Sequence, residues 1–355
     1  MTKEEIISFY KNKNVFVTGH TGFKGAWLCR ILTLAGANVT GYAQEPPTNP
    51  SLFAVSNIQS QIKSVIGDIR NFEFLQENFN DARPEIVFHL AAQPIVRAAY
   101  EVPRETYEIN VMGTVNILEC SRLAKFPVRS VLNVTTDKVY MNKERQTGYR
   151  EDEILDGFDP YSNSKSCSEL VTHSYRNSFF QDSQTSVSTA RAGNVIGGGD
   201  FARDRIIPDC IRAVTSGEKI IVRNAKSIRP YQHVLEPLFV YLMIAKKQYE
   251  DSNFSDWYNV GPDHEDCVTT GELVNIFCEK WGEKATWIQK TQENAPHEAS
   301  FLMLDSTKLK KTFNWHPTWH IDEAVAQTVQ WTKAWQQREN ILSVMDGQIK
   351  SFIEG

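Results

Sequence analysis

Asn14-Val15-Phe16-Val17-Thr18-Gly19-His20-Thr21-Gly22-Phe23-Lys24-Gly25 is the stretch on which the reading of this chain turns. A short apolar run enters three glycines at G-x-x-G-x-x-G spacing and leaves through Ala26-Trp27-Leu28-Cys29-Arg30-Ile31-Leu32, whose apolar spacing is helical. This predicts a strand, a tight turn and a helix start. The first glycine allows the turn, the second lets backbone N–H groups approach an anionic diphosphate, and the third lets the helix pack on the strand. Such turns also serve packing alone, so the dinucleotide reading depends on the rest of the chain.

With 355 residues the chain can bury a large core, and two domains are expected. It is 41% hydrophobic and 23% charged, as for an ordinary globular protein. A net charge of -5 supplies no basic field of the kind that dominates nucleic-acid binding, so no nucleic-acid partner is expected. The start, Met1 to Glu5, lacks a basic-then-apolar signal, and no run approaches the about 18 apolar residues of a membrane span. A cytoplasmic protein with no membrane partner is expected. Six cysteines, Cys29, Cys120, Cys167, Cys210, Cys267 and Cys278, are scattered without a C-x-x-C pair and read as reduced thiols.

Beyond the first helix, Ala37 to Ala43 reads as a second strand, and Gln44 to Pro50, with three prolines, as a loop. A dinucleotide-binding unit usually ends this strand in an acid for the ribose hydroxyls; here Ala43 stands there and the nearest acid is Glu45. Ile62 to Ile69 predicts a third strand, Asn71 to Phe79 a helix, and Glu85 to Gln93 a fourth strand running into small residues. Asn110 to Leu123 predicts a helix, Ser130 to Asp137 a fifth strand, Pro160 to Phe180 a helix and Ser186 to Ala192 a sixth strand. Nearly continuous apolar strands alternating with helices argue for an α/β fold: a Rossmann-type doubly wound parallel sheet with a smaller, mixed α/β C-terminal domain. The first domain spans 11–193 and, with Trp257 to Gly261 as another strand, takes back 232–261. The second comprises 194–231 and 262–355 and is rich in arginine, with Arg203, Arg205, Arg212, Arg223 and Arg229.

Tyr161 and Lys165 are four apart on a predicted helix and share a face. An ammonium beside a phenol favours the phenolate, which suits proton abstraction from a hydroxyl. Thr136-Asp137-Lys138, at the end of the preceding strand, falls at the same carboxyl edge, where ligands bind in open α/β sheets. His316 and His320 have helical metal-ligand spacing, but Pro317 intervenes and no acid is near in sequence, so they read as structural and no metal is expected.

With His89-Leu90-Ala91-Ala92, Asn110-Val111-Met112-Gly113-Thr114 and Arg191-Ala192-Gly193-Asn194, these motifs stand in the order of the extended short-chain dehydrogenases/reductases acting on nucleotide sugars. The chain resembles that family from the glycine turn through Ile228 to Val234 and Trp257 to Pro262 to Phe313-Asn314-Trp315-His316-Pro317, and within it most resembles the CDP-glucose 4,6-dehydratases. The resemblance implies that the first domain binds NAD and the second a nucleotide sugar, CDP-glucose. It implies NAD contacts from Gly19, His20, Thr21, Gly22, Phe23 and Gly25 in the turn, Asp68 and Ile69 after the third strand, Leu90, Ala91 and Ala92 after the fourth, and Asn110, Thr135, Tyr161 and Lys165. Substrate contacts are implied for Gln93, Asn194, Arg205 and Arg229, the last through a fork suited to paired phosphate oxygens.

The implied reaction oxidises sugar carbon 4, eliminates water across carbons 5 and 6 and returns the hydride to carbon 6, a step toward deoxysugars such as those of a lipopolysaccharide O-antigen. Tyr161 with Lys165 removes the 4-hydroxyl proton, Thr136 places that hydroxyl, and Asp137 protonates the departing 6-hydroxyl. Lys138 stands where the related dTDP-glucose enzymes carry the Glu that removes the carbon-5 proton. A lysine serves as that base only when neutral; otherwise it orients Asp137 or stabilises an enolate. His20, with an imidazole where many relatives have a small residue, and Ala43 both point to weak NAD binding. A homodimer or dimer of dimers through helices near Asn110 and Tyr161 fits the family. The alternatives are a nucleotide-sugar 4-epimerase, a dTDP- or GDP-sugar dehydratase, or a non-catalytic dinucleotide-sensing scaffold.

Overall fold

In the computed structural model, which describes residues 1–282, 285–290 and 301–355, seven parallel strands form the central sheet. They are β1 (Asn14–Thr18), β2 (Asn38–Ala43), β3 (Lys63–Ile66), β4 (Ile86–His89), β5 (Ser130–Thr136), β6 (Ser186–Ala192) and β7 (Trp257–Val260). Their spatial order is β7-β6-β5-β4-β1-β2-β3. From β1 the chain winds out through β2 and β3, then crosses back to lay β4 on the other side of β1, with His89 beside Thr18. The order reverses between β1 and β4, and the crevice outside their carboxyl ends is where such sheets take ligands.

Strand pleating sorts the apolar residues to two faces. Val15, Val17, Phe88, Leu132 and Val134 join one core; Phe16, Val87 and Val131 join another. The first is closed by helices Phe23–Leu34 and Leu235–Glu250, the second by helices Phe72–Ala82 and Gly113–Leu123. With both faces covered, each strand reads as a continuous apolar run. Leu238, Leu242 and Ile244 are wholly buried, each contributing about 1.5–3 kcal/mol by its burial. The returning segment thus supplies both the edge strand β7, parallel to β6, and a covering helix.

The second region has its own core, built from Ile207, Ile220, Val222, Leu273, Phe277 and Val325 among others. Its strands form two-stranded pairs, among them Ile228–Pro230 with Cys267–Thr269, whose Pro230 ring packs near Gly193. Within the expected range 262–355, residues 283–284 and 291–300 lie outside the described residues.

Two features differ from the sequence reading. Residues 94–109, which carry no clear period in the sequence, form helices Val96–Glu101 and Pro103–Tyr107, which run through a π-turn, Glu108–Met112, into helix Gly113–Leu123. The last helix, Ile341–Glu354, expected in the second region, buries Met345, Ile349 and Phe352 in the same core as Trp27 and Phe239, and Asp346 pairs with Arg30. No helix among the described residues is long and apolar enough to cross a membrane.

Candidate active site

At the switch point the glycine turn is sterically obligatory. Gly19 has φ +79°, and a Cβ there would lie 2.8 Å from the Ala91 nitrogen. A Cβ on Gly25 would lie 2.1 Å from the Gly19 carbonyl oxygen, so helix Phe23–Leu34 can approach β1 only with glycine. Gly22 caps that helix without a side-chain bond to its first turn, leaving N–H groups of the N-terminus for an anion. Beneath the turn the Thr18 hydroxyl accepts from the Leu90 and Ala91 amides, both at 3.1 Å, and bonds His89 Nδ1 at 2.7 Å. Burial holds the His89 imidazole down at about 3, so it is neutral and links β1 to Thr114.

His20 corrects an expectation. Its ring is fully buried, bonds Ser64 Oγ through Nε2 at 2.7 Å and stands edge-on to Phe53. It occupies space left by Gly41, where a Cβ would lie 2.3 Å from the ring. Burial lowers it to about 4. The imidazole therefore gives the crevice no surface, and the crowding expected of it is absent. In place of the missing ribose acid, Gln44 Nε2 donates to Asp68 at 2.7 Å. Arg70 grips Asp68 at 2.6 Å, and this bond is the main cause holding the carboxylate below its usual range. Ile69 is buried, and its carbonyl accepts from Asn116.

Leu90, Ala91, Ala92 and Gln93 line the exit of β4 and are partly exposed. Asn110 is buried and ties this segment to helix Pro160–Tyr175, accepting from the Gln93 amide at 2.8 Å and donating to Ser164 Oγ at 2.8 Å. The Gln93 side chain, expected to meet substrate, is instead held by Thr106 and the Ile95 amide. Thr135 is likewise turned under the sheet, donating to the buried Glu169 and not to the crevice.

Helix Pro160–Tyr175 starts on Asp159, which caps the Ser162 amide, with Pro160 at its first position. This sets Tyr161 and Lys165 against the end of β5. The Thr136 hydroxyl lies against the Tyr161 phenol and donates to Asp137 Oδ1 at 2.9 Å. Lys138 Nζ is 3.5 Å from the same oxygen. Asp137 is buried, and its Oδ2 has no hydrogen-bond partner among the described residues, which leaves an acceptor to be satisfied by a group that enters the crevice. Gly193 makes room for it: a Cβ there would lie 3.3 Å from that Oδ2 and 2.6 Å from the Pro230 ring.

Burial pushes the Tyr161 phenol up to about 12, opposed by the Thr136 hydroxyl and the Arg205 guanidinium. Lys165, expected to act on the phenol, donates to the Val134 carbonyl at 3.1 Å, and burial lowers it to about 8. A cation already acting on Tyr161 is Arg205, held by Asp200 at 2.9 Å. Lys24 is a residue the sequence reading passed over. Burial first, then Arg205, lower it to about 7 while Asp137 opposes them, and its Nζ is 3.4 Å from the Tyr241 hydroxyl. A lysine among the apolar residues of a helix start was the available signal.

Arg229 is buried on strand Ile228–Pro230, and Asn194 is half-buried, its carbonyl accepting from Gln232. His320 pairs with Asp266 at 2.8 Å, an acidic partner that is distant in sequence and was not foreseen. Among the described residues no group of three or more His, Cys, Asp or Glu could hold a metal.

The arrangement is a diphosphate cradle, a phenol with cations around it, and an acid beside an amine. The sequence pattern of the GDP-mannose 4,6 dehydratase family matches residues 16–328. The chain belongs to that family. It is 47% identical over 352 residues to the CDP-glucose 4,6-dehydratase of Salmonella typhimurium, covering 98% of each chain. Two solved structures are similar at 21% identity: a UDP-glucose 4-epimerase from Thermotoga maritima with UDP-glucose, and a dTDP-glucose 4,6-dehydratase from Bacillus anthracis in complex with NAD. Their TM-scores are 0.78 and 0.75; they cover 91% and 92% of this chain and 99% of their own. At that identity the likeness shows the fold alone.

Proposed function

We propose that this protein is an NAD-dependent CDP-glucose 4,6-dehydratase, a hydro-lyase that converts CDP-glucose to CDP-4-keto-6-deoxyglucose. The observation that carries the reading is Asp137 with Lys138 beside Tyr161: an acid and a base for dehydration, which a 4-epimerase does not need. The 47% identity to a CDP-glucose 4,6-dehydratase over nearly the whole chain supports it.

The glycine turn fits a dinucleotide diphosphate, since Cβ atoms at Gly19 and Gly25 would fill or distort the cradle and the helix N-terminus is uncapped by any side chain. When bound, NAD+ supplies a hydride acceptor for sugar carbon 4 and a donor for carbon 6, so the overall reaction is redox-neutral. Tyr161, with the Lys165 ammonium one turn along the same helix favouring its phenolate, takes the 4-hydroxyl proton while Thr136 orients that hydroxyl. The ketone acidifies the carbon-5 proton, which Lys138 removes as a neutral amine. Asp137 gives its proton to the departing 6-hydroxyl. A carboxylic acid beside an amine holds as many protons as the corresponding ion pair, so elimination carries this couple from one form to the other without outside protons. Arg205 and Arg229 hold the substrate diphosphate, and Asn194 contributes a further polar contact to the substrate.

A homo-oligomer contact on the helices around Asn110 and Tyr161 is supported by Met112, Leu123, Leu170 and Phe179, large apolar residues 43–53% exposed there. A cytoplasmic location suits a charged nucleotide substrate and cofactor. The function is tested by offering CDP-, dTDP-, UDP- and GDP-glucose with NAD+ and following product by proton NMR. A 4-keto-6-deoxy product formed fastest from CDP-glucose is expected; equal rates from the other bases contradict the CDP assignment.

A further inference from the structure

Glu169 is a buried charge that the chemistry above leaves unused. It lies one turn beyond Lys165 on helix Pro160–Tyr175, on the face turned to the sheet. Its Oε1 accepts from the Thr135 hydroxyl, and its Oε2 accepts from Thr189 Oγ1 at 2.8 Å and Arg191 Nη2 at 2.9 Å, with His173 Nε2 at 3.3 Å. Glu169 and Arg191 are both fully buried. Burial opposes the carboxylate, but Arg191 and these hydrogen bonds outweigh it and hold it far below the usual range.

A buried ion pair is weak evidence for stability, because apolar residues of similar volume often serve as well. This one does two further things. Its carboxylate acts on Lys165, raising an ammonium that burial lowers. The other titratable groups sharing that space are Tyr161 on the same helix, Lys24 from the glycine-turn helix, His89 from β4, Asp137 at the end of β5 and Arg205 from the second region, and the carboxylate whose charge acts on Lys165 is Glu169. Thr135 and Thr136 are successive strand residues and face opposite ways. Committing Thr135 to Glu169 fixes the turn that presents Thr136 and Asp137 to the crevice.

We propose that Glu169 is a positioning residue for the reaction at Tyr161: its carboxylate keeps the Lys165 ammonium charged, and its bond to Thr135 sets the strand end carrying Thr136 and Asp137. The catalytic half rests on the dehydratase reading; the effect on Lys165 does not. The test is NMR of the full-length, cofactor-free protein labelled with 13C at lysine Cε, with Lys165→Arg assigning the signal. Glu169→Gln is expected to lower the Lys165 midpoint by about one pH unit or more, and Glu169→Asp, which keeps the charge, to leave it within about 0.3 unit. In turnover, a one-unit drop from about 8 lowers kcat by about threefold at pH 7.5 and about eightfold at pH 8.5, with KM unchanged. A loss due only to looser packing would not grow with pH in this way. An unshifted Lys165 in folded Glu169→Gln overturns the proposal. Should that variant not fold, E169Q/R191M removes the pair as a unit; the same downward shift is expected there, and its absence is equally decisive. Wild-type protein that makes no product from CDP-glucose sinks the dehydratase reading and leaves the NMR result standing.

Discussion

A phenol pushed up to about 12, as burial does to Tyr161, takes few protons from a sugar at neutral pH unless cations draw near when the crevice fills. Arg205 already acts on it, and Lys24 and Lys165 stand close enough to act on each other. Tyr161→Phe should lower kcat by about 10³-fold while leaving substrate affinity, read by calorimetry, nearly unchanged. Lys138→Met should abolish entry of solvent deuterium at carbon 5; exchange at the wild-type rate would refute the base role. Tyr161 and Lys165 were legible because a four-residue spacing fixes a shared helical face. His20 was misread because the gap that admits its ring is made by Gly41, twenty-one positions on, and by Ser64 and Phe53. Glu169 repeats the same four-residue step beyond Lys165, but nothing local shows that Thr135, Thr189 and Arg191 from two strands converge on it.

Among the elements, helix Leu235–Glu250 begins with a buried carboxylate. Glu236 accepts from the Thr318 and Trp319 amides at 2.7 and 2.6 Å, yet its second oxygen is buried and without a hydrogen bond among the described residues. Burial raises it to about 7 against those two bonds. A raised carboxyl means the folded state binds the extra proton, so stability from this group falls as pH rises from about 4.5 to about 7. His320 acts in the same direction: its pairing with Asp266 raises it, giving stability that is present below its ordinary value and lost as pH rises. Glu236→Gln should therefore be more stable than wild type at pH 8, by up to about 3 kcal/mol, with the gain vanishing near pH 4.5 in denaturant titrations. A gain independent of pH contradicts this. The strands were legible because both sheet faces are covered. The helices between 94 and 109 were not, being two short pieces with too few turns to show a period. The last helix was misplaced because its apolar stripe says that it packs, without saying on which core.

For the molecule as a whole, the G-x-x-G-x-x-G turn and the motifs at successive strand ends fall together because a parallel sheet brings its carboxyl ends to one edge. Lys165 and Arg205 were legible in the sequence, but Lys24 was not, because only the fold brings the start of the glycine-turn helix within reach of Arg205, Asp137 and Lys165. The assembly proposed on the exposed apolar helix faces predicts that Leu170→Glu sediments as a 40.5 kDa monomer where wild type is larger; an unchanged profile contradicts that surface. The central claim, that oxidation and dehydration occur at one site, is tested most directly by incubating CDP-glucose with the protein and NAD+ in heavy water and recording proton NMR. The account predicts a new 6-methyl signal with deuterium at carbon 5, and a galactose-type product, or no change with folded protein, would contradict it.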